Sequence, residues 1–288
     1  MPTELGLDAI RLAMAVARPG NGPRRTASQL RQQGLQAACD IYEHLTDNER
    51  DDVERDAQQL QAAGARAVLL GQAGYPPVLA GLRQAPPALF FLGNADLLET
   101  GSIGICGSRE ASSQGLMAAR SCGEEITKLE LTVVSGYARG VDAAAHAAAL
   151  DAGGGTTMVL AEGITRFQPR RWLAARPYDP AQITVVSQFP PGQTWSAGAA
   201  MSRNSVIIGL SRALVVIEAG ETGGTLAAGK QALTERRPVI TLEFRQDTPP
   251  GNKILLDQGA IPVRNREEFR TILQQIFTGS QLGQQTLI

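Results

Sequence analysis

From residue 66 onward, short apolar runs alternate with segments of helical periodicity, and this alternation constrains the fold more than any other feature of the chain. The runs are Ala67–Leu70, Ala88–Leu92, Ile103–Cys106, Leu131–Ser135, Thr157–Leu160, Thr184–Ser187, Leu214–Ile217, Val239–Leu242 and Ile261–Val263. Several are β-branched and unbroken, as strands covered on both faces are. Helical candidates fall between them at Ser113–Leu129, Gly140–Asp151, Gly198–Ser211, Gly223–Glu235 and Glu267–Ile276. Repeated strand–helix alternation predicts an α/β fold with a doubly wound, mostly parallel sheet. No internal repeat accompanies it.

Residues 1–65 carry no strand pattern and read as a small helical domain. An apolar-rich stretch, Leu5 to Val16, runs to the breaker Pro19-Gly20-Asn21-Gly22-Pro23. Thr26 is expected to cap a helix over Ala27–Gln33 that Gly34 stops, and Asp47 to cap a long polar helix through Gln61. The expected division is a helical domain over 1–65, a sheet domain over 66–278 and a polar, frayed tail over 279–288.

Composition excludes several function classes. With 43% apolar and 19% charged residues in 288, the chain can bury a real core. The 27 basic and 28 acidic residues leave a net charge of −1, which rules out a uniformly basic coat but not a local basic patch. The only lysines are Lys128, Lys230 and Lys253, and the other basic residues are arginines. A GC-rich genome explains this bias, and so does selection for bidentate phosphate contacts. Cys39, Cys106 and Cys122 form no CxxC pair and suit a reducing cytoplasm. His44 and His146 are the only histidines, so no His-rich metal centre is expected, and neither a metal nor a cofactor is anticipated. The N-terminal MPTELGLDAI lacks a basic region before an apolar run, so no secretory leader is expected. No stretch approaches the roughly 20 apolar residues that span a bilayer, so no membrane partner is expected.

Ligands of doubly wound sheets gather outside the carboxyl ends of the strands, and four such ends here are informative. The first is Gly104-Ile105-Cys106-Gly107-Ser108-Arg109, with Ser112, Ser113 and Gly115 after it. Gly107 allows close backbone approach, Ser108 offers a hydroxyl, and Arg109 adds a charge beside amides that can face an anion. Taken alone, the pattern equally describes a tight turn with a surface arginine. The second is Ser135-Gly136-Tyr137-Ala138-Arg139-Gly140-Val141-Asp142, leading into Ala143–Ala145 and His146. Asp142 and His146 share a helix face. They suit acid–base chemistry or, as expected here, a helix-start carboxylate and a structural histidine. The third is Met201-Ser202-Arg203-Asn204-Ser205, where Arg203 can reach into a cleft and Asn204 can hold loop backbone. The fourth runs from Glu218 through Thr222-Gly223-Gly224-Thr225 to Lys230, a carboxylate followed by a possible anion cradle. It has neither the P-loop order nor the dinucleotide fingerprint.

Together these segments resemble the DNA-processing protein A family, DprA or Smf. The resemblance runs from about residue 67 to 276. It also takes in Tyr75-Pro76-Pro77-Val78-Leu79, the strand Pro86 to Asn94, Ala145-His146, Gly209-Leu210-Ser211 and Glu218-Ala219. It implies an extended Rossmann-like fold that binds single-stranded DNA without consuming it, dimerises through the sheet domain, and helps load a RecA-type recombinase during natural transformation. Ser108 and Arg109 carry over as phosphate-facing residues, and Arg139 and Arg203 as pocket residues. Three places depart from the family pattern: Ser187-Gln188 for Ser-Glu, Thr222-Gly223-Gly224-Thr225 for a Ser-Gly-Ser loop, and Glu243-Phe244-Arg245 for Pro-Gly. No winged-helix segment is recognised after residue 276.

The expected function is therefore that of a non-catalytic, single-stranded DNA-binding accessory factor. The candidate contacts are Gly107, Ser108, Arg109, Ser135, Gly136, Arg139, Gly140, Arg203, Asn204, Thr222, Gly223, Gly224, Thr225 and Lys230. With 5% aromatic residues, binding should be led by the backbone and weakly sequence-selective. Trp172, Tyr178, Phe167 and Tyr137 are the stacking candidates, with core packing the better explanation for most. The alternative is a nucleotide-binding sensor, or an enzyme similar to nucleoside-monophosphate phosphoribohydrolases, in which Glu218 orients a ribose or acts as acid and base.

Overall fold

The computed structural model describes residues 2–176, 179–244 and 247–284. The helices are α1 (Pro2–Ala17), α2 (Pro23–Gln33), α3 (Leu35–Glu43), α4 (Asp47–Ala62), α5 (Pro77–Ala80), α6 (Ser113–Lys128), α7 (Val141–Asp151), α8 (Arg171–Ala174), α9 (Ala197–Leu210), α10 (Gly224–Thr234), α11 (Pro250–Asp257) and α12 (Arg266–Gln284). The strands are β1 (Arg66–Leu69), β2 (Ala88–Gly93), β3 (Ser102–Gly107), β4 (Thr132–Gly136), β5 (Thr156–Val159), β6 (Ile183–Ser187), β7 (Leu214–Ile217), β8 (Val239–Leu242) and β9 (Ile261–Val263). Each apolar run of the sequence became a strand, with ends shifted by at most one residue, and the α/β, mostly parallel fold class is observed.

The chain divides into two compact units: Met1–Glu99 with Thr157–Gly209, and Thr100–Thr156 with Leu210–Ile288. The helical residues 1–65 thus belong to the same unit as β1, β2 and β6 rather than standing alone. In this first unit β1 runs antiparallel to β2, and β2 antiparallel to β6, with Phe90 opposite Ser187. Leu69, Leu89 and Phe90 are fully buried there.

The second unit is the parallel part. Its strands stand in the order β4-β3-β7-β8-β9, with every neighbouring pair parallel. Ile103, Ile105, Val133, Val215 and Ile217 bury completely against α6, α7 and α12, whose small residues Ala119 and Ala145 share the cluster with Leu273. Each such β-branched side chain contributes about 1.5–3 kcal/mol on leaving water, which is why uninterrupted Val/Ile runs became covered strands. β4 lies on one side of β3 and β7 on the other. The strand order reverses there, so the carboxyl end of β3 opens at a topological switch point.

Several local expectations are corrected. α2 begins at Pro23, whose fixed φ suits a first helical turn, and the Thr26 hydroxyl donates to Gly22 O (3.2 Å) from inside that turn. The cap of α4 is Thr46, not Asp47. Thr46 Oγ accepts from Glu49 N and the Glu49 carboxylate accepts from Thr46 N (2.9 Å), a reciprocal pair that Asp47 cannot form. α3 starts immediately after Gly34. α12 continues past Gly279 to Gln284, so the stretch expected to fray is helical up to that point. α11 lies in a Pro-rich stretch with no helical periodicity to announce it.

Candidate functional site

β3 ends at the switch point on Gly107. A Cβ there would lie 2.2 Å from Ile217 O and 2.5 Å from Val141 Cγ2, so only glycine lets β7 and α7 close on this turn. Ser108 Oγ accepts from Glu110 N (3.0 Å), which tightens the turn and leaves the hydroxyl hydrogen for a ligand. Arg109 is exposed at its tip.

The turn after β4 rests directly on this one. Val141 N donates to Ser108 O (3.1 Å). Gly140 has φ +77°, and a Cβ on it would lie 2.4 Å from Ser108 O and 2.8 Å from the Arg109 carbonyl carbon. Both the backbone conformation and the close approach therefore require glycine. Arg139, one residue earlier, pairs with Glu110 at 2.7 Å while both side chains stay largely in water, 68% and 80% exposed. Two arginine-bearing turns are thus fastened backbone to backbone.

Other sequence candidates in this loop are structural. Ser135 is fully buried and its hydroxyl donates to Ile105 O (2.7 Å) across β3 and β4. Gly136 is buried beside it. Asp142 is buried and accepts from Ala138 N (3.3 Å). His146 is fully buried with Nδ1 2.7 Å from Thr156 Oγ1, whose single hydrogen goes to Val133 O (2.9 Å). The hydroxyl therefore accepts, and Nδ1 carries the imidazole proton. This is the helix-start carboxylate and structural histidine of the second sequence reading.

Glu218, directly after β7, has φ +52°, a left-handed conformation that non-glycine residues seldom adopt. Its carboxylate crosses to the start of α6, accepting from Ser112 N (2.8 Å) and from the Ser112 hydroxyl. Ser112 Oγ in turn accepts from Gly115 N (3.0 Å) as the N-cap. A Cβ on Gly115 would lie 2.4–2.6 Å from the Glu218 carboxylate atoms, so Gly115 makes the room the carboxylate occupies. Beyond it, Ala219 N donates to Asn252 Oδ1 (2.8 Å), and Asn252 Nδ2 donates to Leu242 O (2.9 Å). Asn252 is fully buried and pins the loop to β8; the turn-like Pro249-Pro250-Gly251 before it concealed this in the sequence.

Thr222, Gly223 and Gly224 are exposed, and Thr225 Oγ1 donates to Gly107 O (3.1 Å), tying the start of α10 to the end of β3. Gly223 caps α10 without a capping side chain. Lys230 is exposed but lies six residues beyond Gly224, about 9 Å along the helix axis. The second unit therefore brings together Gly107–Arg109, Arg139-Gly140, Glu218 and the 222–225 loop.

Arg203 and Asn204 belong to the first unit. Arg203 is only 7% exposed and Nη1 donates to Val159 O (3.0 Å), so it secures α9 to β5. Gln188, one of the departures from the family pattern, donates to Ser202 Oγ (3.1 Å) on the same helix. Tyr178 and Arg245 lie outside the described residues. Among the described residues no group of three or more His, Cys, Asp or Glu is placed to hold a metal. Burial pushes the Cys122 thiol up to about 12, so it is not a ready nucleophile. No described helix is long and apolar enough to cross a membrane.

The chain is similar to several DprA and Smf proteins. A DprA from Streptococcus pneumoniae is 37% identical over 170 residues, covering 58% of this chain and 59% of the relative. The chain covers a little over half the length of two Smf relatives, 55% and 54%. The solved pneumococcal DprA superposes with a TM-score of 0.70 at 26% identity, over 91% of this chain and 95% of that one. DNA processing protein A from Helicobacter pylori, described for its single-stranded DNA binding mode, gives 0.64 at 22% identity over 73% and 96%, and shares the fold. The family model for DNA recombination-mediator protein A matches residues 66–274, from β1 into α12. With that match spanning the switch point and both arginine turns, the chain belongs to the DNA recombination-mediator protein A family.

Proposed function

We propose that this protein binds single-stranded DNA without turnover, acting as an accessory factor in recombination or DNA uptake. The observation that carries the reading is the fastening of the Arg109 turn to the Arg139 turn at the switch point, which presents two arginines from a fixed backbone frame. A fixed backbone limits the freedom lost when the two guanidinium groups meet phosphates, and the released counterions make such binding salt-dependent. The Ser108 hydroxyl and the exposed 222–225 loop supply further polar contacts on this unit. Family membership and the single-stranded DNA binding described for the Helicobacter pylori relative support the choice of ligand.

The exposed Arg139–Glu110 pair is compatible with this role. Such pairs contribute about 0–1 kcal/mol, so a phosphate can replace Glu110. Arg203 is assigned to holding α9. The nucleotide-hydrolase alternative needs Glu218 at a sugar, whereas its two oxygens are held by Ser112. Homodimerisation, a RecA-type recombinase as partner, a cytoplasmic location and a role in transformation extend the proposal along the family resemblance.

The test is a fluorescence-anisotropy titration with a labelled oligothymidylate, the matching duplex, and nucleoside monophosphates as competitors. Preference for the single strand, undiminished by millimolar mononucleotide, supports the reading. Release of free base from a mononucleotide, abolished by Glu218→Gln, overturns it.

A further inference from the structure

In the first unit, residues 160–209, which follow β5, carry Arg166, Arg170, Arg171, Arg176 and Arg203 against two acids, Glu162 and Asp179. In a chain with net charge −1 this segment is net basic. Arg203 is buried, and Arg176 turns back to donate to Trp172 O (2.5 Å), but Arg166, Arg170 and Arg171 are exposed. The stretch following β5 is laced to the loop following β6. Gly163 N donates to Gln193 O (2.8 Å), Thr165 N to Pro191 O (3.1 Å), and Arg166 Nε to Gly192 O (3.2 Å). Three residues beyond Gly192 stands Trp195, 50% exposed. The Cα atoms of Gly192 and Trp195 are at most about 11 Å apart, so Trp195 stands on the same loop that Arg166 holds by its backbone.

A half-exposed tryptophan gives up apolar burial that the ring would ordinarily gain. Beside an acid-poor arginine segment, its flat face matches a ligand with an aromatic plane and a negative backbone. A duplex hides its base faces, whereas an unpaired strand offers them, and every base has one. We propose that Trp195 is a stacking platform for an unpaired base of single-stranded DNA, with Arg166, Arg170 and Arg171 on the phosphates; the inference rests on the single-stranded DNA reading above. It adds one strong aromatic contact to binding that composition alone describes as backbone-led.

The chain has two tryptophans, so Trp172→Phe leaves Trp195 as its sole indole fluorophore. That variant is titrated with an oligothymidylate and with an abasic strand of equal phosphate count, and Trp195→Ala and Trp195→Phe are measured for affinity beside the parent. Expected are quenching by the oligothymidylate and not by the abasic strand, affinity about tenfold or more weaker for Trp195→Ala, and near-parent affinity for Trp195→Phe. Trp195→Ala should melt with the parent. A parent that binds the oligothymidylate, with Trp195→Ala binding equally and no quenching in Trp172→Phe, overturns the stacking platform and leaves the proposed function standing. A parent that binds no single strand at low salt overturns both.

Discussion

Glu218 and Ser112 meet across 106 residues of sequence: the carboxylate directly after β7 accepts from both the backbone N–H (2.8 Å) and the hydroxyl of the residue that caps α6. The contact places a negative charge at the positive end of a helix, where it is stabilising. It also makes the switch-point loop a fixed frame.

Glu218→Ala should lower unfolding free energy by about 1–2 kcal/mol, the scale of a lost cap. Gly115→Ala should also destabilise, because the new methyl competes with the carboxylate for space. The double variant should recover part of the loss, since the methyl then fills the vacated volume and alanine favours helix. Denaturant melts of all four proteins give the coupling; strict additivity would count against the contact.

Arg109→Ala and Arg203→Met should separate binding from stability. Arg109→Ala should weaken single-stranded DNA binding by about 1.5–3 kcal/mol, one charge-assisted contact, with the melting temperature unchanged. Arg203→Met should cost about 1–3 kcal/mol of stability by removing the donor to Val159 O, with the affinity of the folded protein retained. The reverse pattern would exchange the two assignments.

That contrast shows what the sequence could carry. Periodicity located the strands because burial on both faces leaves mostly apolar side chains. The Gly-Ser-Arg and Arg-Gly turns stood out because close approach and positive φ admit only glycine. Whether an arginine faces solvent or a carbonyl depends on packing partners far away in the chain, so Arg109 and Arg203 looked alike. The partners Glu218–Ser112, Ala219–Asn252 and Arg139–Glu110 were illegible for the same reason. Thr46 was readable in principle, since Thr followed three residues later by Glu is a capping box.

Glu110→Gln should raise affinity for single-stranded DNA, severalfold at low salt, because it removes the carboxylate that competes with phosphate for Arg139. Anisotropy at two salt concentrations measures this. Lower affinity would mean that Glu110 aligns Arg139 rather than competing for it.

Glu125 is fully buried and meets Lys128 Nζ at 2.9 Å, Arg270 Nη2 at 2.7 Å and Arg266 Nη1 at 3.4 Å. Burial opposes its ionisation, but hydrogen bonds from Lys128 and Arg270 outweigh that and hold its carboxyl below the usual glutamate range. With the folded value below the unfolded one, this stabilisation is complete above the ordinary glutamate range. It is lost as pH falls through the folded value. The melting-temperature gap between the parent and Glu125→Gln should therefore be widest near neutrality and shrink in acid. A gap independent of pH would assign the loss to packing.

The central claim is that Arg109, held in its frame at the switch point, contacts a DNA phosphate. The most direct measurement is the salt dependence of oligothymidylate affinity for the parent and for Arg109→Ala. For single strands the slope of log K against log salt falls by about 0.7 per phosphate contact. The account predicts that Arg109→Ala binds more weakly, with a slope shallower by about that amount and an unchanged melting temperature. An unchanged slope and affinity would contradict it.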